Sequence, residues 1–292
     1  MLQFKKVELN DLEKYNSFIK ASNEASCENA FVNMLVWQCR YNNMLAVADG
    51  QLIIKSGSRE NQCFRLPFGD DLEKGMFLIK EYCGDKFPDF WVQEGERLNL
   101  LKELYGERLI LTEHRNSFDY IYSRENLANL SGKKYHSKRN HISSFSKKHS
   151  WCYKSITSEN KEEIKACAEL WYKENEHRLD SYMLCEKNGV DIILDNFDTL
   201  NIKGGAIYVN DRPIAFTLGS EINKNVFDIH IEKALSEYAT AYTVINSEFA
   251  KNELSEYEYI NREDDLGLEG LRKAKLSYHP EGLIKKYTCR LG

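Results

Sequence analysis

The stretch IHIEKALSEYATAYTVIN, residues 229–246, joins an apolar, strand-like run to a helical pattern. The strand begins upstream in NVFDIHI (225–231), and the helical pattern, EKALSEYATAYTVINSEFAKN, is predicted to start at Glu232. Before it, GGAIYVNDRPIAFTLG (204–219) has two apolar runs around an Asn-Asp-Arg-Pro turn, which predicts a β-hairpin. After it, residues 255–278 predict a strand, an acidic turn and an amphipathic helix.

The first half of the chain shows the same order of elements. MLAVADGQLIIK (44–55) predicts a hairpin around Asp49-Gly50. QCFRLPF (62–68) predicts a strand before an acidic-started helix, and residues 87–106 predict a strand followed by a helix. The similarity lies in the pattern of elements and not in residue identity.

A short strand and a helix are also predicted ahead of each series, with the strands at residues 2–9 and 151–157. Two series of matching elements predict an internal duplication. The hairpins predict mostly antiparallel sheets, so the fold class is α+β, with helices packed on each sheet. We expect two similar domains, at residues 1–122 and 123–292.

Charge is distributed unevenly along the chain. Overall, 40 Lys and Arg stand against 45 Asp and Glu, a formal net charge of −5. Residues 131–150, SGKKYHSKRNHISSFSKKHS, contain six Lys or Arg, three His and no acid. Such a segment is typical of a solvated helix face or of an anion site, and the absence of acids favours the anion. The candidate contacts are Lys134, Lys138 and Arg139.

The eight cysteines are scattered and include no C-x-x-C pair, which argues against a zinc site or a dithiol redox motif. The three His of residues 131–150 are irregularly spaced, so no metal is expected there either. MLQFKKVELND lacks the apolar core of a signal peptide, and the densest apolar run, residues 30–37, is too short to span a bilayer. We therefore expect reduced thiols and a cytoplasmic location.

The order of elements resembles that of the GNAT acyltransferase fold. In that fold, the loop after the fourth strand and the next helix N-terminus bind the pyrophosphate of coenzyme A, because free N–H groups and the helix dipole favour phosphate. The usual loop, Gln/Arg-x-x-Gly-x-Gly/Ala, corresponds here to SEYATA (236–241). Small residues are kept, but the first basic position is lost, the first Gly is Ala, and Glu237 adds negative charge. The resemblance implies donor contacts from Lys233, Tyr238, Ala239, Thr240, Ala241 and Tyr242.

Two segments resemble the family built on the C-terminal domain of phosphatidylglycerol lysyltransferase: residues 123–145 and YINREDDLGLEGLRKAKLSYHPEGLIKKY, residues 259–287. The resemblance implies two GNAT-like domains in tandem, as in Fem-type peptidoglycan aminoacyltransferases. Such relatives move an amino acid from aminoacyl-tRNA to a lipid or peptidoglycan amine, whereas ordinary GNAT enzymes move an acyl group from coenzyme A. We therefore expect a phosphate-bearing donor, acyl-CoA or aminoacyl-tRNA, and an amine acceptor.

Either reaction needs a base for the acceptor amine and a hydrogen-bond donor for the oxyanion or the leaving group. His230 and Glu232 alternate on the presumed fourth strand and face the same side, so they are candidate catalytic residues or structural partners. Tyr278 follows the last helix, where GNAT enzymes often place a general acid, with a core tyrosine as the alternative.

Further basic residues surround these candidates. Arg262 and Glu263 follow the strand YEYIN and are either candidate acceptor contacts or partners of each other. The next predicted helix has a cluster that either contacts the donor phosphates or an acceptor carboxylate, or forms a solvated face: Arg272, Lys273 and Lys275.

Three functions fit these patterns. The first is a tandem GNAT acyl- or aminoacyltransferase with its active site in the C-terminal domain, with coenzyme A or acyl-CoA as a possible cofactor and no metal. The second is a non-catalytic binding or regulatory module with a degenerate coenzyme A loop. The third is a peripheral protein that binds anionic lipid through residues 131–150.

Overall fold

A computed structural model describes residues 2–58, 61–84 and 87–292. The strands in these residues are β1 (Lys5–Lys6), β2 (Met44–Ala48), β3 (Gln51–Gly57), β4 (Gln62–Arg65), β5 (Asp89–Gln93), β6 (Leu109–Glu113), β7 (Asp119–Ser123), β8 (Trp151–Ser155), β9 (Lys203–Val209), β10 (Arg212–Asn223), β11 (Val226–Ala234), β12 (Tyr259–Asn261), β13 (Gly282–Ile284) and β14 (Lys286–Leu291). The helices are α1 (Leu12–Ser22), α2 (Phe31–Val36), α3 (Gln38–Tyr41), α4 (Leu72–Cys83), α5 (Glu96–Tyr105), α6 (Arg124–Asn129), α7 (His136–Lys148), α8 (Lys161–Glu174), α9 (Ser181–Asp195), α10 (Ala241–Asn252) and α11 (Glu269–Leu276).

The strands form two sheets of seven strands each. The first has the order β1-β2-β3-β4-β5-β14-β6, and the second has the order β13-β7-β12-β11-β10-β9-β8. Neighbours are antiparallel except for one parallel pair in each sheet, β4 with β5 and β11 with β12. The predicted α+β class, with two similar sheets flanked by helices, is confirmed.

Both predicted hairpins are present. Asp49 and Gly50, between β2 and β3, have φ angles of 49° and 76°, and Asn210 and Asp211, between β9 and β10, have 50° and 59°. Left-handed conformations at both central residues are typical of type I′ turns, whose twist matches that of the flanking strands. Asn, Asp and Gly tolerate this conformation best, which is why these turns are recognisable in the sequence.

The two sheets exchange strands across the predicted domain boundary. The last strand, β14, lies in the first sheet between β5 and β6. Strand β7 lies in the second sheet between β12 and β13, and the predicted boundary at residues 122 and 123 falls within it. The division into 1–122 and 123–292 stays a prediction, but each sheet contains chain from both sides of it.

Two predicted elements differ in extent. Strand β1 covers only Lys5–Lys6 of the predicted strand 2–9. Strand β11 continues through Glu232 to Ala234, where a helix was predicted, and α10 begins only at Ala241. The strand is longer than predicted because Glu232, Lys233 and Ala234 pair with residues of β10 and extend the antiparallel ladder.

The halves share one apolar core. The largest buried cluster includes Val36 and Leu45 from the first half and Val190 and Ile207 from the second. Helix α2 packs on α9 at Gly189, where a Cβ atom would lie 2.3 Å from Val36 Cγ1. This close packing fixes α2 and α9 against each other at the junction of the halves.

A disulfide crosses the same junction. Cys39 of α3 is bonded to Cys185 of α9, with Cα atoms 6.2 Å apart. The prediction of eight reduced thiols is therefore wrong for this pair. The sequence offered no signal for it, since the two residues are 146 positions apart and belong to different halves.

Most of the basic segment forms α7, which follows a short 3-10 turn at Lys133–Tyr135. Tyr135 and Phe145 are buried on its inner side, and Lys138 is only 7% exposed. Its other Lys and Arg residues face solvent: Lys133, Lys134, Arg139, Lys147 and Lys148. In the part of the chain that the structure describes, no helix is long and apolar enough to cross a membrane.

Candidate active site

Strands β11 and β12 separate within the second sheet. They are parallel neighbours where Val226–Asp228 face Tyr259–Asn261. Beyond this, β11 continues to Ala234 beside β10, while the chain leaves β12 at Arg262. A cleft therefore lies between the later part of β11 and the loop after β12.

Arg262 bridges this cleft. Its Nη2 lies 2.7 Å from Glu232 Oε1, and each side chain is 11% exposed. The Asn246 amide donates to the other Glu232 oxygen at 3.3 Å. Among the described residues, Arg262 Nη1 is buried and finds no hydrogen-bond partner. One donor of the guanidinium is therefore available to an oxygen of a ligand.

Lys138 and Tyr278 complete what we call the cleft cluster: Lys138, Glu232, Arg262 and Tyr278. Lys138 Nζ lies 3.7 Å from the centre of the Tyr278 ring, and Arg262 lies 4.9 Å from it. Burial lowers the pKa of Lys138 to about 8, whereas burial raises the pKa of Tyr278. The Tyr278 phenol is therefore protonated at neutral pH. Four of the predicted site residues thus lie in one group.

His230 belongs to a different group. Its Nε2 is 2.8 Å from Ser220 Oγ, and its Nδ1 faces two acids, Asp228 Oδ2 at 3.4 Å and Glu263 Oε1 at 3.5 Å. We call Asp228, His230 and Glu263 the buried triad. Burial, together with the charge of Glu263, raises the pKa of Asp228 well above its usual value. His230 and Glu232 were predicted to face the same side of the strand. In the structure, His230 contacts Asp228 and Glu263, while Glu232 contacts Arg262.

Beside the triad lies a buried ammonium. Lys286 Nζ is 2.6 Å from Asp119 Oδ1 and 2.7 Å from Glu28 Oε1. Burial alone would lower the pKa of Lys286, but Asp119, Cys27 and Glu28 raise it well above its usual value. Because Lys286 opens β14 and Asp119 opens β7, this ion pair fastens the two exchanged strands to each other.

A cavity of about 290 Å³ lies between the halves, next to the cleft. Its volume is near the lower end of small-molecule sites, about 300–1,000 Å³. Its acidic lining comes from Glu28, Glu263 and Asp264, and its aromatic lining is Trp37, Tyr41, Trp91 and Tyr182. Burial raises the pKa of Asp264 to about 7, against the opposing charge of Lys286. Because Arg262 precedes two of these acids, one loop contributes to both the cleft and the cavity.

Two acids from neighbouring helices, Glu174 of α8 and Glu186 of α9, contact the predicted phosphate loop and Lys233 before it. The backbone N–H of Ser236 donates to Glu174 Oε2 at 2.9 Å. Lys233 Nζ is 2.6 Å from Glu186 Oε1 and 4.0 Å from the centre of the Trp171 ring. The exposed backbone of Ala239 and Thr240 leads into α10, with Tyr238, Ala241 and Tyr242 beside it.

The remaining predicted basic residues are mostly engaged within the chain. Arg272 pairs with Asp265 at 2.8 Å, and Lys275 donates to the backbone oxygens of Arg262 and Asp264. Lys273 makes an exposed pair with Glu269. Arg139 donates to the backbone oxygens of Leu130 and Gly132, while Lys134 is exposed.

Several residues of the site had no functional signal in the sequence. Glu28, Asp119 and Lys286 come from three distant segments, so only the folded chain shows their contact. Asp228 did have a local signal, because it alternates with His230 on the same strand and so shares a face with it.

This architecture defines the class of protein. Two tandem sheets, each with one parallel pair and antiparallel hairpins, and a cleft between separating strands are the features of a tandem GNAT-like fold. Residues 19–290 match the family model described as phosphatidylglycerol lysyltransferase, C-terminal, and the chain belongs to that family. The predicted family and the predicted enzyme class, a transferase, are confirmed.

Solved structures agree in fold. A conserved protein of unknown function from Bacteroides thetaiotaomicron is 36% identical, with a TM-score of 0.92 over 100% of both chains. L-PGS from Bacillus licheniformis is 13% identical with a TM-score of 0.64, covering 96% of this chain and 91% of that one. FemX is 8% identical with a TM-score of 0.59, covering 97% and 96%. The last two show a shared fold alone.

An uncharacterised protein of Mycoplasmoides gallisepticum is 27% identical over 201 residues. The match covers 68% of this chain and 63% of that relative, so the chain spans under two thirds of its length.

Proposed function

We propose that the protein transfers an aminoacyl group from an aminoacyl-tRNA to an amine, with the reaction taking place in the cleft between β11 and β12. The observation that carries the proposal is the acidic and aromatic cavity, two of whose acids, Glu263 and Asp264, follow Arg262 of the cleft cluster on one loop. Both an aminoacyl group and an amine acceptor carry an ammonium in water, and this cavity is suited to such a charge. The name of the family, a phosphatidylglycerol lysyltransferase, supports the transfer of an aminoacyl group.

The cavity favours a cation in two ways. Glu263 and Asp264 supply carboxyl groups, and the faces of Trp37 and Tyr182 supply aromatic surface for cation–π contact. Such contacts contribute about 0.5–1 kcal/mol at exposed sites and about 2 kcal/mol when desolvated. An amine held here lies beside the loop that carries Arg262.

Aminoacyl-tRNA is favoured over acyl-CoA because of the acids at the phosphate loop. Glu174 occupies the N–H of Ser236, and Glu186 neutralises Lys233, so a pyrophosphate there would meet two carboxylates. The exposed lysines of α7, in contrast, have the charge to contact a nucleic-acid backbone.

The cleft cluster supplies the remaining chemistry. In this proposal the unpartnered Nη1 of Arg262 donates to the oxyanion of the tetrahedral intermediate, where a donor is most effective. Glu232 holds the guanidinium in place from the opposite strand. The amine nitrogen bonds to the carbonyl carbon as the ester C–O bond breaks. Tyr278, whose phenol is protonated at neutral pH and whose pKa burial raises further, gives its proton to the leaving 3′ oxygen of the tRNA and takes up the proton that the attacking amine loses.

Filter binding with labelled aminoacyl-tRNA, deacylated tRNA and acetyl-CoA tests the donor. We expect the charged tRNA to bind more tightly than the deacylated tRNA, and acetyl-CoA not to compete. Because the oxyanion forms only during the reaction, Arg262→Leu should leave the binding of charged tRNA largely unaltered, as should Lys273→Met, an exposed change on α11. Binding of acetyl-CoA without binding of tRNA would favour the acyl-CoA reaction, and binding of neither donor would contradict the proposal.

A further inference from the structure

Three side chains with metal-binding atoms meet beside the inter-domain cavity. Asp228 and His230 alternate on β11 and point to the same face, and Glu263 reaches them from the loop after β12. The Asp228 and His230 side chains are 0% and 1% exposed, and Glu263 is 21% exposed towards the cavity it lines. One atom from each lies within 4.8 Å of the other two.

The separations fit a shared cation better than direct hydrogen bonds. His230 Nδ1 is 3.4 Å from Asp228 Oδ2 and 3.5 Å from Glu263 Oε1. Charge-assisted N–H···O bonds are usually about 2.7–2.9 Å long. Ligands at about 2.0–2.2 Å from a tetrahedral ion, in contrast, are about 3.3–3.6 Å apart. The two distances from His230 Nδ1, 3.4 Å and 3.5 Å, match the edges of such a tetrahedron.

The surrounding groups orient the three side chains. Ser220 Oγ, 2.8 Å from His230 Nε2, fixes the ring and leaves Nδ1 for the acids, as second partners of metal-bound histidines do. Asn33 Nδ2 donates to Glu263 Oε1 at 2.9 Å and to Asp228 Oδ2 at 3.4 Å. Within the described chain, Asp228 Oδ1 and Asn33 Oδ1 are buried and lack hydrogen-bond partners. Unpartnered buried oxygens of this kind are rare and call for a missing partner.

A neighbouring cluster of similar side chains contains a cation, which the buried triad lacks among the described residues. Cys27, Glu28 and Asp119 form a second group with similarly convergent ligand atoms, and Lys286 places its ammonium within that group. In the described residues, neither Asp228 nor Glu263 has a Lys or Arg within ion-pair distance. The Cys27, Glu28 and Asp119 cluster thus contains its own cation, Lys286, whereas the buried triad has the same kind of ligands without one.

We propose that Asp228, His230 and Glu263 bind a divalent transition-metal ion, with zinc(II) the best fit, and that the fourth ligand position opens to the cavity. One imidazole and two carboxylates are ligands that zinc accepts in tetrahedral sites, and three protein ligands with an open position are typical of catalytic sites. Two carboxylates balance the charge of the ion. An ion with an open position acts as a Lewis acid on a carbonyl held beside it.

Titration of the chelator-treated, full-length protein with Co²⁺ tests the site directly, because tetrahedral cobalt absorbs visible light strongly. We expect one equivalent to bind and Zn²⁺ to displace it, with equilibrium dialysis and elemental analysis giving the same stoichiometry. Glu263→Gln should weaken cobalt binding by more than about tenfold, since even the loss of a residue that hydrogen-bonds to a metal ligand costs about 10–100-fold in metal affinity. His230→Ala should abolish the absorbance.

Matched variants identify the site that binds. Glu232→Gln changes the next residue on the same face of β11 and should leave cobalt binding unaltered, as should Cys27→Ser in the Lys286 cluster. Glu263→Gln removes a partly exposed carboxylate, so its fold is checked by circular dichroism before titration. Absence of a bound equivalent in the wild type, or retention of wild-type affinity in a folded Glu263→Gln protein, would overturn the proposal. These outcomes concern the metal alone and are independent of tRNA binding.

Discussion

Replacing Lys286 by Met removes the buried ammonium that joins β14 to β7. Two carboxylates then remain where one cation sat 2.6 Å and 2.7 Å away, and one of them, Asp119, is fully buried. Methionine keeps the length and most of the volume of the lysine stem, so the loss is chiefly electrostatic.

The cost is large because a lone buried charge lacks solvent. Removing one partner of a buried ion pair typically destabilises a protein by about 3–5 kcal/mol. Total stabilities are about 5–15 kcal/mol, so this is a substantial part of the whole. At about 2–4 °C per kcal/mol for a chain of this size class, the melting temperature should fall by about 6–20 °C.

Urea denaturation followed by circular dichroism measures the change. Lys20→Met is the matched control, because Lys20 also pairs across the halves, with Glu221 at 2.6 Å, but its side chain is 50% exposed. Exposed pairs contribute about 0–1 kcal/mol, so this variant should unfold nearly like the wild type. Adding Asp119→Asn to Lys286→Met should recover part of the loss. Equal free energies of unfolding for the Lys286→Met and Lys20→Met variants would show that the buried ammonium does not stabilise the junction of β14 and β7.

Three further changes have distinct expected results. Cys39→Ser opens a loop of 146 residues, so the free energy of unfolding should fall by up to about 5 kcal/mol on the chain-entropy estimate, and a reductant should cause the same loss in the wild type but none in the variant. Burial lowers the pKa of Lys138 from 10.5 to about 8. Between about pH 8 and pH 10.5, Lys138 is therefore mostly protonated in the unfolded chain and mostly neutral in the folded protein. Because the unfolded state binds more protons in this range, the free energy of unfolding rises with pH. Denaturation at about pH 7 and about pH 10 should therefore show the wild type gaining on Lys138→Met, and a constant difference would contradict this. Gly189→Ala places a Cβ 2.3 Å from Val36 Cγ1 and should cost about 1–3 kcal/mol, while Gly270→Ala, with open space around it, should cost nothing.

Local features were readable from the sequence. The hairpins at Asp49-Gly50 and Asn210-Asp211 were predictable because left-handed turns favour these residues. The helix at residues 136–148 agrees with the helical spacing of Lys134, Lys138, His141 and Phe145 in the sequence, and Phe145 is buried in it. The repeated order of elements predicted the tandem arrangement, which the two seven-stranded sheets confirm, and the family resemblance is confirmed by the matching family model.

Long-range pairing was not readable. Strand β14 has no local property that assigns it to the first sheet, because its partners β5 and β6 lie almost two hundred residues earlier in the chain. The same limit applies to Lys286, whose role depends on Asp119 and Glu28. The extent of β11 was missed for a related reason, since Glu232–Ala234 have a helix-compatible composition and become a strand only through their pairing with β10.

The cleft cluster was found only in part. Glu232, Arg262, Tyr278 and Lys138 were all named from the sequence, but their mutual contact depends on the separation of β11 from β12. His230 was grouped with Glu232 by alternation, and the fold instead turns it towards Asp228 and Glu263. Alternation predicts which side a residue faces but not which neighbour it meets there.

In the proposed function, the cleft between β11 and β12 transfers an aminoacyl group. Its most direct test is a single-turnover assay in which labelled aminoacyl-tRNA and a set of amine acceptors are incubated with wild type, Arg262→Leu or Lys273→Met protein. We predict that label moves from tRNA to an amine with the wild type and with Lys273→Met, and that Arg262→Leu slows the transfer by about 10²–10³-fold, as loss of an oxyanion donor does. Transfer from labelled acetyl-CoA but not from tRNA, or undiminished transfer by the Arg262 variant, would contradict the claim.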